Sequence, residues 1–486
     1  MTPHRLLHDA ASHLPEKPAL VEAGRTLNYR QLLGAAEGFA RHLRQIGLAN
    51  CVVAIQMRNC IEVPVALLAL DRVGSTALML DPSLKGPETI RYCQMAKAAV
   101  RICSSDSTET GPSGTPVLPM PPLKELCASA ASGGRDVVAA PASDDGIAVL
   151  LLSSGTQGPP KIVPKTSSQA GAAVGIFLRT LPYLENDHVL AVLPFFHSFG
   201  LFNVLLAGLT AGATLHIQPF SPREVVALVA AEGISALPAT PFMFRMLAET
   251  EFRDPPDFSS IRLAMSAGSS LPTTILDRVR QKLGIGIAQS YGTTETGPIS
   301  VTDPRVQAPV AGWVGKLYAS VRVEIRNCDG NPSGMKQEGQ IAVCSPAGAT
   351  GYLGHGGEGD GPFRGQWILT GDIGRLDETG LYVLGRSRRI INIAGKKVSP
   401  AEVENCLLSH PAVADVLVAS HRSPEGNDRV HATVVRRGDV GAVELQEYCA
   451  RNLADFKVPR QIIFVQSLSR GAMDKVTEPN TSGTKG

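Results

Sequence analysis

The chain has 486 residues, more than one hydrophobic core usually supports, so its length predicts two or more domains. Its 46 basic and 44 acidic residues leave a formal charge of +2, without the clustered basic face that is typical of nucleic-acid binding. The nine cysteines contain no Cys-x-x-Cys pair, and no apolar run is long enough to span a bilayer. We therefore expect a cytoplasmic protein with reduced thiols, without a membrane span and without a nucleic-acid partner.

The first third of the chain follows an α/β pattern. Short apolar strand patterns alternate with amphipathic helical patterns between residues 17 and 82. Asn59 is predicted to cap the helix whose apolar face begins at Ile61. From Ser104 to Ser143 the chain is rich in Ser, Gly, Thr and Pro, which predicts a loosely packed connection.

A buried strand pattern at 147–152 leads into a glycine-rich polar segment that could bind phosphates. Glycines let backbone N–H groups approach a polyanion, and hydroxyl and ammonium groups add donors. Two prolines precede the lysine, so the segment differs from the nucleotide loop of P-loop NTPases, and an ordinary turn is the alternative for this segment alone. The residues expected to provide the cradle are Ser153, Ser154, Gly155, Thr156, Gly158 and Lys161.

Three further polar segments each follow a strand pattern. Pro194–Gly200 is an aromatic cluster that contains His197, for which packing in the core is the alternative. Ser266–Pro272 is a glycine turn. Ser290–Gly297 combines an aromatic residue, small hydroxyls and one acid, which suit a nucleotide and its magnesium ion.

The C-terminal part begins with a change to basic residues near Arg386. Before it, Asp372 is predicted at a turn, where its carboxylate could accept hydrogen bonds from a ribose diol. After it, helix patterns at 401–408 and 442–453 alternate with three strand patterns. We predict a large multi-sheet α/β domain over residues 1–386 and a small α+β lid domain over residues 387–486, with a disordered tail from about residue 478.

Taken in order, these motifs resemble those of the adenylate-forming (AMP-binding) superfamily, specifically its acyl- and aryl-CoA synthetases. The resemblance spans nearly the whole chain. It implies that the large domain holds ATP and a carboxylic acid and that the lid brings a lysine into the site. The nucleotide-binding residues that it implies are Ser153, Ser154, Gly155, Gly158, Lys161, Gly268, Ser269, Ser270, Tyr291, Gly292, Thr293, Thr294, Asp372 and Arg386.

The resemblance also implies the catalytic residues, which are Thr156, His197, Glu295 and Lys475. Glu295 is implied to bind Mg²⁺, and Lys475 to bridge the acyl oxygen and the α-phosphate. His197 is implied to be a gate or a carboxylate contact beside Phe196 and Phe199.

The lid is implied to rotate about a hinge at Arg388. This rotation would remove Lys475 and admit a pantetheine thiol along the turn formed by Gly395, Lys396 and Lys397. The chain departs from the family pattern at Asp474, which stands where the family has glycine before the lysine. It departs again in the phosphate loop, at Gln157 and Ile162.

The acid is expected to be apolar. In the peptide-synthetase members of the superfamily that the chain resembles, an aspartate in this aromatic segment pairs with the α-amino group of the substrate. The segment Pro194–His197 has no carboxylate, so the resemblance disfavours an amino-acid substrate. A pocket of apolar side chains would suit a fatty or aryl acid. The side chains expected to form it are Phe196, Phe199, Phe202, Met243 and Ile299.

We therefore predict an ATP- and Mg²⁺-dependent acid–CoA ligase that forms an acyl-adenylate and transfers the acyl group to the thiol of coenzyme A. One alternative is a ligase that loads the phosphopantetheine of an acyl carrier protein. The other is a catalytically impaired nucleotide-binding homologue, which Asp474 motivates.

Overall fold

The computed structural model describes residues 3–104, 115–132, 145–153, 161–306, 312–354, 361–386, 391–393, 396–422 and 428–468. The described helices are α1 (Pro3–His13), α2 (Tyr29–Gln45), α3 (Glu62–Arg72), α4 (Gly86–Ala96), α5 (Leu123–Ser132), α6 (Ser167–Thr180), α7 (Ala207–Thr210), α8 (Pro222–Glu232), α9 (Pro241–Glu249), α10 (Thr273–Leu283), α11 (Pro400–Leu408) and α12 (Ala442–Asn452), with a π-helix (Phe199–Leu206) and a 3₁₀-helix (Asp455–Lys457).

The described strands up to residue 386 are β1 (Pro18–Glu22), β2 (Arg25–Asn28), β3 (Val52–Ile55), β4 (Thr76–Met79), β5 (Ala98–Cys103), β6 (Val117–Pro119), β7 (Ile147–Leu152), β8 (Ile162–Thr166), β9 (His188–Ala191), β10 (Thr214–Ile217), β11 (Ala236–Ala239), β12 (Leu263–Ser266), β13 (Ile287–Thr293), β14 (Gly297–Val301), β15 (Lys316–Leu317), β16 (Arg322–Arg326), β17 (Gly339–Cys344), β18 (Phe363–Arg364), β19 (Trp367–Asp377) and β20 (Gly380–Arg386). Those that follow are β21 (Ile391–Ile393), β22 (Lys396–Val398), β23 (Val413–Arg422), β24 (Asp428–Arg436) and β25 (Gln461–Val465).

The described strands before residue 387 form three sheets. A nine-stranded sheet has the order β15-β14-β13-β12-β11-β9-β10-β1-β2, and its six central strands from β13 to β1 run parallel. A six-stranded sheet has the order β6-β5-β3-β4-β7-β8, in which only β8 is antiparallel to its neighbour. The third sheet, β16-β17-β19-β18 with β20 on β19, is antiparallel.

The parallel strands read as continuous apolar runs because helices cover both faces of such sheets. All four residues of β11 and of β12 are buried. Helix boundaries follow local capping, as at α2, where Asn28 and Gln31 exchange side-chain to backbone hydrogen bonds. One hydrophobic core joins the two parallel sheets, from Leu7 to Leu381.

The part after residue 390 has its own core, which runs from Ile391 to Ile462. There, β23 and β24 are antiparallel, β25 joins β24 in parallel, and β21 pairs with β22. These features agree with the predicted α/β and α+β architecture. The boundary between residues 386 and 387 stays a prediction, because residues 387–390 lie outside the described part, as does the tail from 478.

Three local predictions were wrong or incomplete. Helix α3 begins at Glu62 and its N-cap is Ile61, so Asn59 does not cap it. Asp372 lies within the long strand β19 and not at a turn. The connection from Ser104 to Ser143 contains strand β6, which extends the six-stranded sheet.

Among the described helices, none combines the length and apolar character that crossing a bilayer requires.

A histidine pair lies inside the nine-stranded sheet. His216 on β10 is 2% exposed, and its Nε2 lies 2.9 Å from Nδ1 of His188 on β9. The two rings stack with centroids 5.1 Å apart. Burial, and then the neighbouring His188, lower the pKa of His216 from 6.5 to about 4. Between these two values the unfolded chain binds a proton that the folded chain does not, so stability falls as the pH falls.

Replacing His216 by leucine should therefore reduce the sensitivity of the protein to acid. Between pH 7 and pH 4.5 the wild type should lose about 2 to 3 kcal/mol more folding free energy than His216→Leu, from the size of the pKa shift. Urea unfolding at both pH values measures the difference. His13→Leu, which changes an exposed histidine, is the control, and equal acid sensitivity in all three proteins would contradict the assignment.

Candidate active site

The predicted polar segments lie at one edge of the nine-stranded sheet. Strands β9, β11, β12 and β13 are neighbours and parallel, so their carboxyl ends meet at the same edge. The segment 194–200 begins just after the end of β9, the segment 266–272 begins at the end of β12, and the segment 290–297 spans the end of β13. In open α/β sheets this edge is where ligands bind.

The two ends of the predicted phosphate loop are joined to each other. The backbone N–H of Ser153 donates to the carbonyl of Lys161 over 2.8 Å, and the N–H of Lys161 donates to Ser153 Oγ over 3.2 Å. These bonds continue the β7–β8 hairpin and place Lys161 at the base of the loop. The predicted residues Ser154, Gly155, Thr156 and Gly158 lie outside the described residues.

Lys161 and Glu295 both contact a residue that sequence reasoning missed, Tyr352. The Lys161 ammonium lies 4.5 Å from the centroid of the Tyr352 ring, and the Tyr352 hydroxyl donates to Glu295 Oε1 over 3.0 Å. Burial, and then the charge of Glu295, raise the pKa of the Tyr352 hydroxyl, which therefore stays a donor. The only sequence signal is an aromatic residue within Thr350–Gly354, a segment rich in glycine.

Glu295 fits the predicted magnesium site. Its side chain is half-buried and offers hard carboxylate oxygens, the ligand type that Mg²⁺ prefers. In the part of the chain that the structure describes, no group of three or more His, Cys, Asp or Glu side chains could hold a metal. A magnesium ion here would therefore be held by one carboxylate together with water and substrate phosphates, which is how Mg²⁺ is usually bound in nucleotide sites.

Asp372, Tyr291 and Arg386, all predicted to contact the nucleotide, form one cluster. The Tyr291 hydroxyl donates to Asp372 Oδ2 over 2.7 Å, and Arg386 Nε lies 3.2 Å from Oδ1. Asp372 faces Arg386 across the β19–β20 register and is 4% exposed. Burial, and then the Asp372 charge, raise the pKa of Tyr291 well above its usual range. Because each carboxylate oxygen has a second lone pair, the aspartate can still accept hydrogen bonds from a diol.

The two turns predicted to contact the base and phosphates have distinct constraints. Gly268 has a φ of +99°, which favours glycine, and Ser269 and Ser270 after it are exposed. A side chain at Gly292 would meet the carbonyl of Gly297 at 2.5 Å. The neighbouring Thr293 and Thr294 are half-buried, and Oγ1 of Thr293 lies 3.0 Å from Oγ1 of buried Thr296.

Asn59 holds the aromatic segment instead of capping a helix. Its Oδ1 accepts from the N–H of Phe195 over 2.8 Å, and its Nδ2 donates to the carbonyl of Leu193 over 2.7 Å. His197 follows this turn, with its ring centroid 4.6 Å from that of Phe196. Asn59 is therefore a further residue that positions the predicted acid site.

The predicted pocket side chains belong to one hydrophobic cluster. Phe202 and Ile299 are buried in the large core, and Phe196, Phe199 and Met243 are partly buried against it. Phe199 begins a π-helix, an irregularity that often occurs at functional sites. Phe196 and Phe199 therefore lie at the border of this core and stay partly exposed.

Most of the residues predicted to act from the lid lie outside the part of the chain that the structure describes. Lys475, Asp474, Arg388 and Gly395 lie outside the described residues. Lys396 and Lys397 lie on strand β22. Their roles stay predictions.

Comparison with known proteins identifies the family. The model of the AMP-binding enzyme matches residues 7–353, and that of its C-terminal domain matches residues 402–475. The chain belongs to the AMP-binding enzyme family. A 2-succinylbenzoate–CoA ligase from Bacillus subtilis is 30% identical over 97% of this chain and 96% of its own length. The predicted family and the predicted enzyme class, an AMP-forming acid–thiol ligase, are confirmed.

Solved structures agree with this assignment. O-Succinylbenzoate coenzyme A synthetase from Bacillus subtilis, in complex with its acyl-adenylate intermediate, superposes with a TM-score of 0.88 at 28% identity and covers 99% of this chain and 98% of its own. The same synthetase with ATP and magnesium ion gives a TM-score of 0.86 at 28% identity, covering 97% and 98%. The predicted fold class of this AMP-binding enzyme is therefore confirmed as well.

Asp372→Asn should weaken ATP use selectively. The amide keeps the shape but loses the charge, and hydrogen bonds to a charged group contribute about 1.5 to 3 kcal/mol. We expect the KM for ATP to rise about 10- to 100-fold, with a smaller change in the KM for the acid. Steady-state kinetics with each substrate varied in turn measure both.

The matched control is Asp377→Asn, which alters a second aspartate of β19 that pairs with its own arginine, Arg375. A normal KM for ATP in Asp372→Asn, or equal effects of the two substitutions, would contradict the assignment of Asp372 to the ribose site.

Proposed function

We propose that this AMP-binding enzyme is an acid–CoA ligase whose acid is an aromatic keto acid of the 2-succinylbenzoate type. The observation that carries the proposal is the full-length similarity to a ligase of that name. It is combined with the partly exposed rings of Phe196 and Phe199, which follow the carboxyl end of strand β9. All nine cysteines are free thiols, which suits the predicted cytoplasmic location.

A second polar group on the acid would need a partner, and Asn203 is the candidate. Asn203 is 4% exposed, and its Nδ2 has no hydrogen-bond partner among the described residues. It follows Phe199 by four residues within the π-helix, about one turn, so both lie on the same face. A buried amide without a partner can donate to a carbonyl or carboxylate of the substrate.

The reaction joins the acid to coenzyme A in two steps. The carboxylate of the acid attacks the α-phosphate of ATP, which forms the acyl-adenylate and releases pyrophosphate. The thiol of coenzyme A then attacks the acyl carbon, which forms the thioester and releases AMP. Asp372 and Arg386 would hold the ribose, and Lys161 with the loop amides would hold the β- and γ-phosphates. Glu295 would hold Mg²⁺, which neutralises phosphate charge when bound.

Coenzyme A is the acceptor that the similar ligases support, whereas an acyl carrier protein has no such support. The alternative of an impaired homologue rests on Asp474, which lies outside the described residues. A measured rate of adenylation decides whether the chain is such an impaired homologue.

The acid specificity is testable by pyrophosphate release with coenzyme A present. We expect 2-succinylbenzoate to exceed benzoate and octanoate at least about 10-fold in kcat/KM, and free amino acids to be poorest. An unpaired ammonium buried against Phe196 and Phe199 would cost several kcal/mol, on the order of burying an uncompensated charge.

The variant Asn203→Leu supplies the control for this panel. It should lower kcat/KM for 2-succinylbenzoate and leave octanoate nearly unchanged. An amino acid as best substrate, or equal use of all acids, would contradict the proposed substrate class.

The role of Lys475 is testable by separating the two half-reactions. Lys475→Ala should reduce acid-dependent pyrophosphate exchange by about 10²-fold or more, the order for one preorganised charge contact. Thioester formation from supplied acyl-adenylate should change little, because the lid has removed Lys475 by then. Asp474→Gly should speed adenylation, because it removes a carboxylate that competes for the lysine.

Lys457→Ala, which changes a lysine paired with Glu402 in the same part of the chain, is the control for lost charge. Equal losses in both half-reactions for Lys475→Ala would exclude its assigned role, and absent exchange in the wild type would favour the impaired homologue.

A further inference from the structure

The backbone of the segment 345–354 is hydrogen-bonded to both sides of the predicted phosphate and metal site. The N–H of Ala349 donates to the carbonyl of Glu295 over 2.7 Å, and the N–H of Leu353 donates to the carbonyl of Ile162 over 2.9 Å. Ile162 directly follows Lys161 on β8. The segment is therefore fixed to the backbone beside each of the two charged residues.

Lys161 and Glu295 carry opposite charges but form no ion pair with each other: Glu295 Oε1 instead accepts from Tyr352, and the Lys161 ammonium lies over the Tyr352 ring. Opposite charges that contact the same side chain attract each other, most strongly where solvent is partly excluded. A direct pair would have to break before the lysine could bind phosphates and the carboxylate could bind a metal. Tyr352 gives each of the two charged groups a partner, so the two groups need not pair with each other.

We propose that Tyr352 is a positioning residue that keeps Lys161 and Glu295 apart and oriented for a triphosphate and its magnesium ion. Its ring face attracts the cation and its hydroxyl binds the carboxylate, so the two charges are held by opposite parts of one side chain. The ring is fixed from the side by Phe363, whose ring meets it nearly at right angles at 5.1 Å.

A second lysine fixes the backbone beneath this arrangement. Lys165 is 2% exposed, and its ammonium donates to the carbonyls of Glu295 over 2.9 Å and of Ala347 over 2.6 Å. These bonds tie the Glu295 turn to the segment that carries Tyr352. The hydroxyl of Tyr352 is thereby held in reach of Glu295 before any ligand binds.

The test measures ATP binding by calorimetry with and without Mg²⁺, in Tyr352→Phe and Tyr352→Leu. Tyr352→Phe keeps the ring under Lys161 and loses the hydroxyl on Glu295. It should weaken Mg²⁺-dependent ATP binding about 5- to 10-fold and leave metal-free ATP binding within about twofold. Tyr352→Leu should weaken both, because Lys161 is then free to pair with Glu295.

The double variant Tyr352→Leu/Glu295→Gln distinguishes this inference from a loss of packing. If Lys161 has paired with Glu295, removing that carboxylate should restore metal-free ATP binding towards the wild-type value. The control is Tyr382→Phe, since Tyr382 also has an arginine, Arg375, 3.9 Å from its ring centroid and a hydroxyl bonded to Thr379. It should bind ATP like the wild type.

Normal Mg²⁺-dependent binding in Tyr352→Phe, or equal losses with and without metal, would overturn the inference. So would a double variant that stays as weak as Tyr352→Leu. The Tyr352→Phe result decides even if Tyr352→Leu does not fold, because phenylalanine keeps the contact with Phe363. The inference rests on the proposed function, whose own failure would appear separately as a wild type that does not bind ATP.

Discussion

A single buried ammonium, that of Lys165, joins the three sheets that surround the site. The lysine stands on β8 of the six-stranded sheet, and its partners are carbonyls beside β14 of the nine-stranded sheet and beyond β17 of the antiparallel sheet. Burial lowers its pKa to about 7, which expresses how strongly the interior disfavours the charge. The two carbonyls offset part of the desolvation penalty of the ammonium, and they reach it only when the sheets pack in this arrangement. The apolar core therefore stabilises the fold, while this polar contact selects how the sheets are arranged.

The site above this junction is organised before any ligand binds. Asp372 is held by Tyr291 and Arg386, and Glu295 by Tyr352. Groups that already point to where charge will develop need no reorganisation when the reaction occurs, and this is the main source of electrostatic catalysis. Rigid strands carry most of them, whereas the predicted thiol turn and the catalytic lysine belong to the C-terminal part, which has a core of its own.

Sequence reasoning located the segments that follow apolar strands, because a buried run that ends in glycines and hydroxyls is a local pattern. It could not find the residues that connect those segments. Tyr352 lies 57 positions from Glu295, Asn59 lies 136 from Phe195, and Lys165 lies 182 from Ala347. The hydrophobic periodicity of a sequence carries no information about contacts between residues so far apart along the chain. Asp372 was predicted as a ribose contact, which stays a prediction, and it was assigned to a turn because Gly371 and Gly374 interrupt the alternation of β19, where the structure has an irregular register.

The position of β1 in the nine-stranded sheet has a consequence for synthesis of the chain. Leu20 pairs with Leu215, and the hydroxyl of Thr214 donates to the carbonyl of Pro18, 196 positions away. When the first strands leave the ribosome, the strand that completes their pairing has not yet been made. Contacts of such long range form slowly, and unpaired apolar strands are prone to aggregate while they wait. The N-terminal segment should therefore depend on chaperones until β10 is complete, and fragments that end before residue 217 should remain insoluble on their own.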